Sequence, residues 1–145
     1  MTKSALLMLG LLSVSPLYAT PQGSVPTETM GSHIKSPEEK AMEAYSHGLK
    51  AKRKAEGETD AAKKAKLYAK AKDELAKSVG YMGNYDGYLA LGQVYLALGN
   101  QESALDACVR AQSLKPADEA SRGCVEEARK AIQAAQTGAK PDGGR

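Results

Sequence analysis

The sequence contains no tryptophan and no phenylalanine in its 145 residues, only two cysteines and two histidines, and few prolines. Without the two largest rings, bulky packing falls to Leu, Val, Ile, Met and Tyr, which implies a small, mostly aliphatic core. Neither His33 nor His47 has a second His, Cys or carboxylate at ligand spacing, so no metal motif is present. No glycine-rich phosphate loop, nucleophile elbow or paired-carboxylate constellation is found either, so the reading is of a non-enzyme with no catalytic residues and no cofactor. A charged fraction of 26% and a hydrophobic fraction of 42% exclude collagen, a polar disordered chain and a polytopic membrane protein. The length allows one domain.

The two ends differ from the middle. Residues 1–19, MTKSALLMLGLLSVSPLYA, place Lys3 before an apolar run from Ala5 to Val14, then Pro16 and Ala19. This is the layout of a secretory signal peptide cut after Ala19; the competing reading is a buried N-terminal helix or an uncleaved anchor. The run is shorter than the roughly 20 apolar residues needed to span a bilayer, so no stable membrane span is expected. Residues 20–36 hold two prolines, two glycines and no period, which suits a disordered linker. Residues 137–145, TGAKPDGGR, read the same way, leaving 37–136 as the folded part. Export to the periplasm or beyond is the expected localisation.

What the middle has in quantity is alanine at helical spacing. Ser36-Pro37-Glu38-Glu39 is a helix start, with a serine cap, proline in the first turn and a glutamate able to reach back. Met42, Tyr45 and Leu49 follow as an apolar stripe, predicting a helix over about 37–56. Thr59 or Asp60 opens a second helix with Ala61, Ala65, Tyr68, Ala71, Leu75 and Val79 inward, ending near Gly80 and Gly83. Asp86 opens a third, with Tyr88, Leu91, Val94, Tyr95 and Leu98 inward. A fourth, with Ala104, Leu105, Cys108, Val109 and Ala111 inward, runs to Pro116. Asp118 caps a fifth, whose stripe is Cys124, Val125, Ala128, Ala131, Ile132 and Ala135. No segment alternates with period two, so the expected class is all-α.

Residues 85–118 carry a more specific pattern: Tyr88, the pair Leu91-Gly92, Tyr95, Gly99, then Ala104, Cys108, Ala111 and Pro116. In residue type and period this stretch resembles one tetratricopeptide repeat, with Cys108 where the family usually has a larger apolar residue. Residues 37–84 resemble a degenerate repeat with lengthened helices, Ala71, Leu75 and Ser78 standing on its second helix. The last helix resembles the solvating helix that ends such arrays. The resemblance implies about two antiparallel hairpins plus a C-terminal capping helix in a short right-handed α-solenoid, acting as a protein-interaction module. It also implies a partner groove lined by Glu43, His47 and Lys50 on the first helix and Asp86, Leu89, Gln93, Leu96 and Ala97 on the third. A groove of that composition suits a protein or peptide ligand; the competing reading has Leu89 and Leu96 packing against neighbouring helices. The family's packing brings Cys108 and Cys124 near each other, which in an oxidising compartment makes a disulfide an alternative to two buried free thiols.

Charge is unevenly spread. Residues 35–79 hold 12 Lys/Arg against 8 Asp/Glu, whereas 80–138 hold 5 against 7. The basic hairpin face at 50–72 offers a rival function, binding a polyanion or a membrane surface, and the two cysteines offer another, thiol redox chemistry. The plainer reading of the lysines is a solvated face with pairs such as Asp73 with Lys77. Nothing in the pattern points to nucleic acid.

Overall fold

Ser36 opens the first helix as its residue type dictates. Its Oγ accepts from the Glu39 amide at 3.2 Å, and the Glu39 carboxylate accepts from the Ser36 amide at 2.8 Å, so two backbone donors that the helix leaves without partners are satisfied reciprocally. In the computed structural model, which describes residues 34–138, this start leads into α1 (Pro37–Glu56), followed by α2 (Ala61–Tyr81), α3 (Tyr85–Ala97), α4 (Gln101–Leu114) and α5 (Glu119–Thr137). No strand occurs among the described residues, and none of their helices is long and apolar enough to cross a membrane. The expected leader, most of the linker and all but the first two residues of the tail lie outside the described residues.

Each junction has a local cause. Asp60 Oδ1 accepts from Lys63 N at 2.9 Å and starts α2. The third helix begins earlier than Asp86: Asn84 is the cap, its Oδ1 accepting from Gly87 N at 2.7 Å, and Asp86 falls in the first turn, where an acid suits the positive end of the helix dipole. Gly99 turns the chain at φ 75°, a left-handed conformation that glycine adopts without strain. Helix α5 runs to Thr137 and is closed by Gly138 at φ 64°.

The long helices α1 and α2 pack antiparallel at close range. Ser78, fully buried near the end of α2, donates from Oγ to the Ala41 carbonyl at 2.8 Å near the start of α1. Further along, Gly48 lies against Leu75; a Cβ added there would stand 2.6 Å from Leu75 Cγ. The buried stripe of α1 is therefore Ala41, Ala44, Gly48, Ala51 and Ala55, not the larger apolar residues of the sequence reading. Met42 is 73% exposed, and Tyr45 and Leu49 are half-buried flanks. Ala61, Ala65, Val109 and Ala135, also read as inward, are exposed. The expected pair of Asp73 with Lys77 is replaced by Glu74 with Lys77 at 2.9 Å, and Asp73 meets Lys72 at 3.1 Å.

Successive helices pack in order, and α3 also touches α1 and α5. Two clusters form the core. One is built on Ala51, Ala71, Leu75, Ala90, Leu91, Val94 and Ala107, with Tyr45, Leu49, Tyr68 and Tyr95 packed on its edge. The other is Cys108, Cys124 and Val125, flanked by Leu89, Leu96 and Leu105.

The starts of α3 and α5 are tied by one polar contact. The Tyr85 hydroxyl donates to Asp118 Oδ2, while Asp118, the cap of α5, also accepts from Ser121 N at 3.0 Å. Lys115 Nζ stands 4.0 Å from the centre of the Tyr85 ring. The hydrogen bond to the carboxylate pushes the Tyr85 phenol up to about 12 and holds the Asp118 carboxyl below its usual value. Both shifts favour phenol with carboxylate. The Tyr85 contribution to stability is therefore present below the ordinary phenol value and lost as pH climbs toward 12, and the Asp118 contribution is lost as pH falls through its depressed value. Ultraviolet titration of tyrosinate should show one phenol ionising last, and Tyr85→Phe should remove that step; its persistence in the variant would assign it to another tyrosine.

Candidate functional site

Three helices converge on a sulfur pair. Cys108, fully buried on α4, and Cys124, 5% exposed on α5, are joined by a disulfide with Cα atoms 5.6 Å apart, a spacing ordinary for such bridges. Gly92 of α3 covers the pair: a Cβ there would stand 2.6 Å from Cys108 Sγ and 3.1 Å from Cys124 Sγ. The resemblance marks Gly92 for close helix approach, and in this chain the approached group is the bridge. Thiolate exchange needs access to a sulfur, and this bridge is enclosed by Gly92, Val125, Leu89, Leu96 and Leu105. That enclosure suits a structural bridge rather than a thiol-redox couple.

Beside the bridge lies a surface hollow of about 680 Å³ to which all five helices contribute. Lys52 and Glu56 come from α1, Tyr68 from α2, Gln93, Leu96 and Ala97 from α3, Gln101 from α4, and Glu127 and Ala131 from α5. Lys52 Nζ and Glu56 Oε1 pair at 2.6 Å one turn apart, fixing one wall. The two amides, the Glu127 carboxylate and the tyrosine ring offer donors and acceptors around the small apolar patch of Leu96, Ala97 and Ala131. No group of three or more metal-ligating side chains occurs among the described residues.

The groove expected from the sequence is only partly assembled. Gln93, Leu96 and Ala97 line the five-helix hollow. Leu89 and Leu96 pack on the Cys108, Cys124 and Val125 cluster, the second of the two readings open for them, so Leu96 serves hollow and core together. Asp86 sits at the junction of α3 with α1, close enough for its charge to help raise the Tyr45 phenol, after the larger effect of burial. Glu43, His47 and Lys50 do not join these residues. Glu43 and His47 line a hollow with Glu74, Lys77 and Tyr81, and His47 and Lys50 line another with Leu67 and Lys70, both along the α1/α2 edge. Glu43 is further engaged by Lys35 at 2.6 Å, which holds its carboxyl below the usual range.

The cause is the register of α1. Once Ala41, Ala44, Gly48, Ala51 and Ala55 face inward, Lys52 and Glu56 fall on the side toward α3, and Glu43, His47 and Lys50 on the other. Lys52, Glu56, Gln101 and Glu127 are not among the groove residues expected from the sequence. For Lys52 and Glu56 the signal is their four-residue spacing on the same stripe as Tyr45; nothing comparable marks Gln101 or Glu127.

Comparison of the sequence with family models, with curated proteins and with solved structures returned no match.

Proposed function

We propose that this chain is an exported, non-enzymatic protein-interaction module of tetratricopeptide-repeat type, and that it holds a protein or peptide segment in the five-helix hollow. The observation that carries the reading is the hollow itself: one surface depression gathers side chains from every helix and sets hydrogen-bonding and charged groups around a small apolar patch, offering a polypeptide segment both main-chain partners and an apolar contact. The repeat assignment is supported by which residues the second helix of each hairpin buries. Ala71, Leu75 and Ser78 are the buried residues of α2, and Ala104, Cys108 and Ala111 are buried on α4, at the second-helix positions the resemblance marks as small, bulky and small. Tetratricopeptide hairpins and a right-handed solenoid remain part of this proposal. Export is supported by the disulfide, since such bridges persist in oxidising compartments and are rare in the cytosol.

The test uses a photo-crosslinking residue placed at exposed Ala97 in the hollow, with exposed Gly123 on α5 as the comparison position; a Cβ at Gly123 meets nothing within 4 Å. In envelope extracts, position 97 should yield a discrete protein adduct that excess unlabelled chain competes away, and position 123 should not. Equal adducts at both positions, or none at 97, would discard the hollow as the site. Ala97→Arg should abolish capture with circular dichroism unchanged.

A further inference from the structure

The distal half of the α1/α2 hairpin carries a charge surplus that the fold does not use. Residues 50–72 hold nine Lys and Arg against three acids. Each acid is already committed. Glu56 pairs with Lys52 at 2.6 Å. Glu58 Oε1 accepts from the amides of Thr59 at 2.9 Å and Asp60 at 3.0 Å, and Asp60 caps α2 through the Lys63 amide. Lys72 meets Asp73 just outside the stretch. Lys50, Arg53, Lys54, Lys63, Lys64, Lys66 and Lys70 are left with no ion pair to any described residue.

Helical spacing sets five of these cations, Lys50 and Lys54 on α1 and Lys63, Lys66 and Lys70 on α2, along one side of the hairpin. Lys50, Lys54, Lys70 and His47 line a hollow of about 350 Å³ with Ala51, Leu67 and Glu74, the last of which is paired with Lys77 at 2.9 Å. Arg53 joins Lys50 and Lys54 around a second hollow on α1, beside Tyr45 and Leu49. Lys63 and Lys66 are exposed in the first two turns of α2.

We propose that this end of the hairpin binds a soluble linear polyanion of closely spaced phosphates, a surface separate from the five-helix hollow. One observation favours that occupant over a bilayer. The exposed large apolar side chains are Ile34, Met42, Tyr81, Met82, Val109 and Leu114, none within 50–72, so this end offers nothing large to insert among lipid tails. The set is nearly all lysine, a compact point charge without the planar fork that reads individual groups, which suits recognition of charge density rather than of sequence. Binding of this kind releases counterions; with four or five phosphates neutralised, affinity falls on the order of a hundredfold between about 50 and 200 mM salt.

The test titrates the full chain with long-chain inorganic polyphosphate and, separately, with phosphatidylglycerol vesicles. Two triple variants, Lys50→Glu/Lys54→Glu/Lys70→Glu and Lys63→Glu/Lys64→Glu/Lys66→Glu, are compared with Arg129→Glu/Lys130→Glu on the exposed side of α5 and with the same two triples made with Gln. Polyphosphate should bind at low salt and release steeply as salt rises. Each triple, in its Glu or Gln form, should weaken binding at least tenfold, the pair on α5 less than twofold. No polyphosphate binding at low salt overturns the proposal, as does binding to vesicles alone. Equal losses from the α5 variant would also overturn it, because net charge rather than this surface would then be responsible.

Discussion

Breaking the Cys108–Cys124 bridge is expected to lower stability by about 3 kcal/mol, the chain-entropy value for a loop of this size, here 16 residues. In a domain of about a hundred residues that corresponds to a fall in melting temperature of roughly 10–20 °C. Circular dichroism melts of the Cys108→Ala/Cys124→Ala protein against the oxidised wild type measure the difference. Reductant added to the native protein should act slowly, because the sulfurs are enclosed and a thiolate reaches them only when the domain opens. Mass analysis after alkylation under denaturing, non-reducing conditions should add no alkyl groups. Two added groups, or a melt unaffected by removing both cysteines, would show that the bridge does not support the fold.

Leu75→Ala should cost at least as much. Leu75 heads the largest fully buried side chains, and alanines make up more than half of the core around it. Leucine-to-alanine changes in cores cost about 2–5 kcal/mol, the high end applying where neighbours cannot close over the space. An alanine has no side-chain rotamer to swing into a vacancy, so Ala51, Ala71 and Ala90 leave the cavity open and the upper half of that range is expected. Urea unfolding with an unchanged denaturant slope would report it, with Val109→Ala, at an exposed position, as the near-neutral comparison. A loss below about 1 kcal/mol would mean that the two long helices collapse onto the gap.

Much of the helical plan was legible because its punctuation is chemical. Ser36-Pro37, Asp60, Gly99 and Asp118 act locally, through side-chain oxygens and backbone freedom, and each stands where its residue type predicts. Asn84 was passed over for Asp86 because both are good caps two residues apart; the bond from the Gly87 amide decides between them. The inward face of α1 was misjudged by roughly a quarter to a third of a turn at about 100° per residue, and for a general reason. Periodicity read from large apolar residues follows Met42, Tyr45 and Leu49, but where two helix backbones nearly touch the contact stripe is made of the smallest residues, and the larger ones are displaced to its edge. The same rotation separates the α1 residues of the expected groove from those of α3: Glu43, His47 and Lys50 lie along the α1/α2 edge, while Gln93, Leu96 and Ala97 line the five-helix hollow. The disulfide could be anticipated from the resemblance but not from spacing alone, since the sequence places the cysteines on two helices without setting their distance.

The contact between Gly92 and the two sulfurs makes the three positions a single mutable unit. Any atom added at 92 must take its volume from the bridge, and any atom removed from the bridge returns volume to 92. Gly92→Ala alone should be harmful even though alanine is the better helix former, yet the same change combined with Cys108→Ala should recover part of the loss, because the methyl group enters the space the sulfur vacates. A chain of this fold can therefore exchange covalent closure for aliphatic packing by trading residues among these three sites, with α3, α4 and α5 kept at the same separation.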